Sequence, residues 1–285
     1  VHKLFALSLS LMFFTAAASA RQVHEPHFRK PEWTRPYEPF RIAGNLYYVG
    51  TADLGCYLIV TPAGNILINT GIGSSRKIIQ ENIEKLGFRV SDIRILLTTQ
   101  VHYDHVGAMA EMKKLSGAKL MVDAADAPVM EDGGNSDYEY GGKGWLFMPA
   151  KVDRRLNNND TVSLGGTQLV MLHHPGHTKG SCSFMLTVKD QKRPYRVLIA
   201  NMPTIIVEKG LNEVHTYPGM SADYAYTLRS MKALQFDLWV ASHGSQFDLE
   251  AKHKPGTAYN PMIFAGRKDY DASLRDLEQA YEKKK

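Results

Sequence analysis

The 285-residue sequence predicts an α/β fold, a four-layer αββα sandwich in which two mixed sheets lie face to face and helices cover their outer faces. Short β-branched and aromatic runs alternate with helical periodicities, and this set of elements occurs twice along the chain. No stretch rich in Pro, Gly or Ser divides the two sets, so residues 21–285 read as a single domain. The apolar fraction is 44% and the charged fraction 22%. Such a chain can bury a sizeable core, and disorder, collagen and coiled coil are excluded.

Residues 21–41, rich in Pro, Arg and His, read as an irregular arm. Residues 46–49, 56–60 and 66–68 read as strands, with turns marked by Gly64-Asn65 and Gly71. Residues 74–86 read as a helix: Ile78, Ile79, Ile83 and Leu86 fall on one face, and Gly87 ends it. The apolar run 93–98 is a strand of the buried type, followed by a helix over 107–115, a strand over 120–122 and a short helix near 124–130. Residues 131–150, with two Gly-Gly pairs among polar and aromatic residues, form a long loop of the kind that borders sites. The second set has strands at 161–164, 168–172, 183–188 and 196–200, a helix at 221–234, a strand at 238–241 and a terminal helix at 269–283.

Residues 1–20 read as a secretory signal peptide. A basic start precedes an apolar stretch, and Ala18-Ser19-Ala20 has the form of a cleavage site. The run is short for a membrane span. The expectation is an exported chain, in a bacterial periplasm or outside, with no stable membrane anchor and no lipid-bearing cysteine. Cys56 and Cys182 lie in separate predicted strands and read as buried free thiols rather than a disulfide framework. Lys and Arg number 34 against 29 Asp and Glu, a net charge of +5. The basic residues are scattered, apart from the last three lysines, so no nucleic-acid surface is expected. No protein partner is implied either.

The chemistry gathers where strands end. After strand 93–98 come Gln100, His102, Asp104 and His105, four metal-capable side chains within six positions. In extended chain the first three point to one side, and His105 then begins a helical turn. Imidazole nitrogen and carboxylate oxygen are the ligands Zn²⁺ favours. Two further segments place a histidine after a strand: the turn around His177, and Ser242-His243-Gly244.

The Gln-x-His-x-Asp-His stretch, the Pro-Gly-His-Thr-x-Gly-Ser turn at 175–181 and the late Ser-His resemble the metallo-β-lactamase superfamily. The Gly-Asn-Leu-Tyr-Tyr-Val-Gly-Thr opening at 44–51 and the Gly-Gly-x-Ser-Asp-Tyr loop at 133–138 resemble its subclass B3, and Gln100 resembles the Gln-bearing GOB-type branch. The resemblance covers nearly the whole of residues 21–285. It implies a site for one or two Zn²⁺ ions, the first position held by Gln100, His102 and His177 and the second by Asp104, His105 and His243. It implies zinc-dependent hydrolysis of the cyclic amide of β-lactams (penicillins, cephalosporins and carbapenems), and hence antibiotic resistance. Water activated at the metal attacks the strained carbonyl, and Asp104 orients it as the catalytic residue. Thr204 is the implied donor to the substrate carboxylate, and the loop 137–147 the floor and lid. Gln100 stands where most of the subclass has His, and an amide oxygen is a weaker, uncharged ligand. Met202 stands where the family has a polar residue, and Asn69 where many members have Asp.

His24, His27, His215 and His253 read as solvated. His173 and His174 read as supporting or structural, because strand alternation lets at most one face the site. A serine β-lactamase is a poor rival. Ser74-Ser-Arg-Lys77 and Ser116-Gly-Ala-Lys119 both match Ser-x-x-Lys, but no Lys-Thr-Gly or Ser-Asp-Asn accompanies them. A thioester (glyoxalase-type) or lactone hydrolase on the same fold, or a non-catalytic zinc-binding protein, are the alternatives, since fold does not fix substrate.

Overall fold

The structure, a computed structural model, describes residues 30–191 and 193–285. The expected signal peptide, and His24 and His27, lie outside the described residues. Seven strands form the first sheet in chain order: β1 (Phe40–Ala43), β2 (Leu46–Tyr48), β3 (Tyr57–Thr61), β4 (Gly64–Ile68), β5 (Ile93–Leu97), β6 (Lys119–Asp123) and β7 (Arg154–Leu156). The first four pair antiparallel, and β4 to β7 run parallel. The second sheet has the order β12 (Leu238–Ala241), β11 (Pro194–Ala200), β10 (Cys182–Lys189), β9 (Thr167–His173), β8 (Thr161–Leu164), with only β11 and β12 parallel.

Side-chain alternation along the first sheet explains the layering. Tyr57 and Ile59 of β3, Ile66 and Ile68 of β4 and Leu97 of β5 face the second sheet, where they meet residues such as Phe184, Val197 and Ile199. Leu58, Leu67 and Leu96 point the other way. They pack beneath Ile79 and Ile83 of helix α2 (Ser75–Lys85) and Met109 and Met112 of α4 (Met109–Ser116). On the far side, α6 (Met220–Ala233) and α8 (Lys268–Lys284) cover the second sheet, and Tyr270 of α8 packs edge-on against Trp239 of β12. These are the expected four layers. Cys56 and Cys182 are buried and free, as expected. No helix among the described residues is long and apolar enough to cross a membrane.

The arm is more ordered than its composition predicts. It contains α1 (Pro31–Thr34), which buries Trp33, and the start of β1. The helix expected over 107–115 is α4, and a further short helix, α3 (Tyr103–Val106), precedes it. His253 is a correction: it is buried, not solvated, and its ring stacks on Phe40 at 3.6 Å. Its position just after α7 (Leu249–Lys252) puts the ring against β1, a contact between distant segments.

Candidate metal centre

The site lies at the carboxyl ends of β5 and β12 and in the turn between β9 and β10, where loops are held on rigid strands. After β5 the chain bends at Thr99, is extended at His102 and then enters α3. Asp104 therefore sits on a helix rather than on continuing strand, and simple alternation does not place it. The helical turn instead puts Asp104 Oδ2 3.2 Å from His105 Nε2 and 3.3 Å from His243 Nε2. Asp104, His105 and His243 offer ligand atoms all within 4.8 Å of one another.

His102 and His177 make a second group. His102 Nε2 lies 3.2 Å from Asp137 Oδ2, and His177 Nδ1 lies 2.8 Å from the carbonyl oxygen of Thr204. Both acceptors call for an N–H on the outer nitrogen, which assigns the tautomers. The inner nitrogens, His102 Nδ1 and His177 Nε2, then face each other at 3.2 Å as two lone pairs. Such a pair needs a proton or a cation between them. Nearby, Gln100 Oε1 and His105 Nδ1 are buried with no hydrogen-bond partner, and His105 Nε2 has only the Asp104 carboxylate beside it. Buried polar atoms without a partner are uncommon and costly. These residues fit a bound metal.

The charges fit as well. Burial alone would raise the Asp104 carboxyl, but the neighbouring His105 and His243 outweigh it and hold it well below the usual carboxylate range. Burial works against charge on His243 too, yet Asp104 and Asp53 on its two sides push it up to about 9. Burial pushes His177 down to about 3, and a proton on His102 would push it the same way.

Three buried side chains that the sequence did not single out as site residues hold the ligand-bearing segments. Asp53 Oδ2 lies 3.1 Å from His243 Nδ1 and accepts Trp33 Nε1 at 3.2 Å, while Oδ1 accepts the Ser245 amide at 2.9 Å. Asp126 accepts the Val101 amide (3.0 Å), the Thr178 hydroxyl (2.7 Å) and the Gly180 amide (2.7 Å), and so ties the loop after β5 to the His177 turn. Asn69, at φ +62°, accepts the Thr99 amide at 2.9 Å and donates to the Gly55 carbonyl. Thr99 in turn shares a hydroxyl hydrogen bond of 2.8 Å with Ser242. A signal for Asn69 existed in its departure from the family's Asp; none marked Asp53 or Asp126.

The turn carrying His177 has no room for larger residues. A Cβ on Gly176, whose φ is +132°, would lie 2.9 Å from the Tyr224 ring, and one on Gly180 would lie 2.5 Å from the Asp126 amide nitrogen. Met202 contributes through its backbone: its carbonyl accepts Gln246 Nε2, whose Oε1 accepts the His243 amide.

Above the site is a cavity of about 380 Å³. Trp33, Tyr140 and Trp145 wall it, His102, Asp104, His177 and His243 line it, and Lys30 and Thr204 also border it. Tyr140 and Trp145 belong to the 137–147 loop, which takes the bordering position expected of it.

His173 and His174 stay outside this cavity. His173 Nδ1 pairs with Asp123 at 2.7 Å. His174 is fully buried, with Nδ1 2.9 Å from Ser183 Oγ and Nε2 3.3 Å from Ser230 Oγ. Burial pushes His174 down to about 3. Its folded value is below the unfolded one, about 6.5. Between these values the unfolded chain binds a proton that the fold refuses, so stability falls as pH drops through that window. The expected slope is about 1.4 kcal/mol per pH unit at most. Unfolding curves from pH 7 to 5 should show a shallower acid slope in His174→Gln than in the parent; equal slopes would exclude this role.

The fold is shared with proteins already known. The sequence pattern of the metallo-beta-lactamase superfamily matches residues 56–189. The metallo-beta-lactamase GOB-18 from Elizabethkingia meningoseptica is 56% identical, with a TM-score of 0.92 over 93% of this chain and 98% of that one. The class B3 di-zinc metallo-beta-lactamase LRA-12 from an Alaskan soil metagenome is 61% identical, with a TM-score of 0.90 over 92% and 99%. The chain belongs to the metallo-beta-lactamase superfamily, and within it to the B3 group of GOB type. Curated relatives match over shorter stretches. A hydroxyacylglutathione hydrolase of Hyphomonas neptunium is 29% identical over 35% of this chain and 31% of its own length.

Proposed function

We propose that this chain is a zinc-dependent hydrolase that opens the cyclic amide of β-lactam antibiotics and so confers resistance. The observation that carries the reading is the pair of inner lone pairs on His102 and His177 beside the Asp104–His105–His243 group. Gln100, His102 and His177 would hold one metal, and Asp104, His105 and His243 a second. LRA-12, similar over almost its whole length, is a di-zinc enzyme. Bound Zn²⁺ supplies Lewis acidity, which makes water acidic enough to act as a nucleophile near neutral pH and stabilises charge developing on the opened amide.

The chain's own residues do the rest. Asp104 is the partly exposed carboxylate at the cavity floor, placed to accept a hydrogen bond from the attacking water and orient it. Trp33, Tyr140 and Trp145 offer flat apolar walls to a fused-ring substrate and exclude competing water. The Thr204 carbonyl takes the His177 N–H, so the Thr204 hydroxyl remains a donor for the substrate carboxylate, with Lys30 as a cation on the same rim. We place the activity in a bacterial periplasm on the leader-like residues 1–20. The hydroxyacylglutathione hydrolase match spans about a third of that protein, whereas the B3 enzymes match from end to end.

Purified protein is expected to hydrolyse a chromogenic cephalosporin, to lose that activity on dialysis against a chelator and to regain it with zinc. A clavulanate-type inhibitor, which traps an acyl-serine, should have no effect. Full activity after exhaustive chelation would refute the reading.

A further inference from the structure

Asp137 opens the loop that walls the cavity, and its side chain is only 5% exposed. Oδ1 accepts the amides of Glu139 (2.9 Å) and Tyr140 (2.6 Å), which shapes the first turn of the loop. Oδ2 reaches the other way, to His102 Nε2 at 3.2 Å. The Tyr140 ring meets His102 edge-on at 5.0 Å and stacks on Trp145 at 5.0 Å. One carboxylate thus joins the aromatic wall of the cavity to a candidate metal ligand.

The two metal positions differ in charge. The second includes Asp104. The first, made by Gln100, His102 and His177, has no anionic ligand. A carboxylate that takes the outer N–H of a ligating histidine fixes its ring and strengthens it as a ligand. We propose that Asp137 is a positioning residue for the first metal position: acting through His102, it supplies the anionic support that Gln100 does not, and it couples occupancy there to the order of the 137–147 loop. Asp53 stands in the same relation to His243, but that position has its own carboxylate. The inference rests on the proposed reading that both positions take zinc.

The test is zinc titration of metal-free full-length protein against a chromophoric chelator, in the parent, Asp137→Asn and Asp137→Ala. His243→Ala shows which equivalent belongs to the second position. Asp137→Asn keeps an acceptor for the loop amides but turns an amide NH2 toward His102, so it removes both the charge and the acceptor of the His102 N–H. It is expected to weaken the first-position equivalent about ten- to a hundredfold and to leave the other unchanged. The low-field imidazole N–H proton of His102 in the zinc-loaded protein should lose its low-field position in both variants, since neither leaves an acceptor facing it. In a Trp33→Phe background, which removes the indole bonded to Asp53 beside His243, tryptophan emission should change on filling the first position and not on filling the second. Equal affinities in parent and Asp137→Asn, or equal weakening of both equivalents, overturns the proposal while the hydrolytic reading stands. A parent that binds fewer than two equivalents overturns it through its premise, and a parent whose hydrolysis resists chelation sinks the functional reading itself.

Discussion

Asp104→Ala is expected to lose roughly three or more powers of ten in kcat/KM, against about one for Gln100→Ala. Asp104 is the charged member of the Asp104–His105–His243 group, with one oxygen within 3.3 Å of both imidazoles. Its loss removes a ligand, the charge that draws the cation and the group that orients water. It also leaves the buried His105 and the half-buried His243 facing each other, their rings 4.9 Å apart. Gln100 contributes a neutral oxygen to the other position. The measurement is steady-state kinetics at matched zinc content. Equal losses for the two variants would show that Asp104 has no role beyond ligation.

The second large effect falls on stability. Asp126→Ala strands the Val101 and Gly180 amides and takes from the Thr178 hydroxyl one of its two partners, the other being Ser181. An unpaired buried donor costs about 1–3 kcal/mol. The total is expected near 3–5 kcal/mol, part of it recovered by water entering the gap, from a fold worth about 5–15 kcal/mol. Burial has already pushed this carboxyl up to about 6, despite the Thr178 hydrogen bond, so the site accepts a desolvated charge in order to bind three donors at once. Denaturant unfolding gives the answer. A midpoint within error of the parent would mean that the two ligand-bearing loops are held by something else.

The candidate ligands were legible because four of them lie within six positions behind an apolar strand, and the other two sit in Gly-marked or strand-end turns. The strands were legible through their alternation, as in Ile66, Leu67 and Ile68, which part between two cores. What escaped depended on partners far along the chain. Asp53 meets His243 across 190 residues, and Asp126 meets Thr178 across 52. Nothing local distinguishes Thr-Ala-Asp-Leu-Gly or Ala-Ala-Asp-Ala-Pro from an ordinary loop. The short elements α1 and β1 escaped for a related reason: four residues each carry too little periodicity, and Trp33 is fixed by the bond to Asp53 rather than by its neighbours.

Gly176 and Gly180 constrain how such an enzyme diversifies. With the Tyr224 ring and the Asp126 backbone pressed against them, neither position admits even a methyl group without displacing His177 or its anchor. The lower half of the site is closed to inherited change at these points. Adaptation to a new antibiotic has its freedom above the candidate metal centre, at the rings of Tyr140 and Trp145, where a substitution alters the shape offered to the drug and leaves the His177 turn and the loop after β5 intact. Selection for a broader spectrum should therefore leave its record in the 137–147 loop while the His177 turn stays invariant.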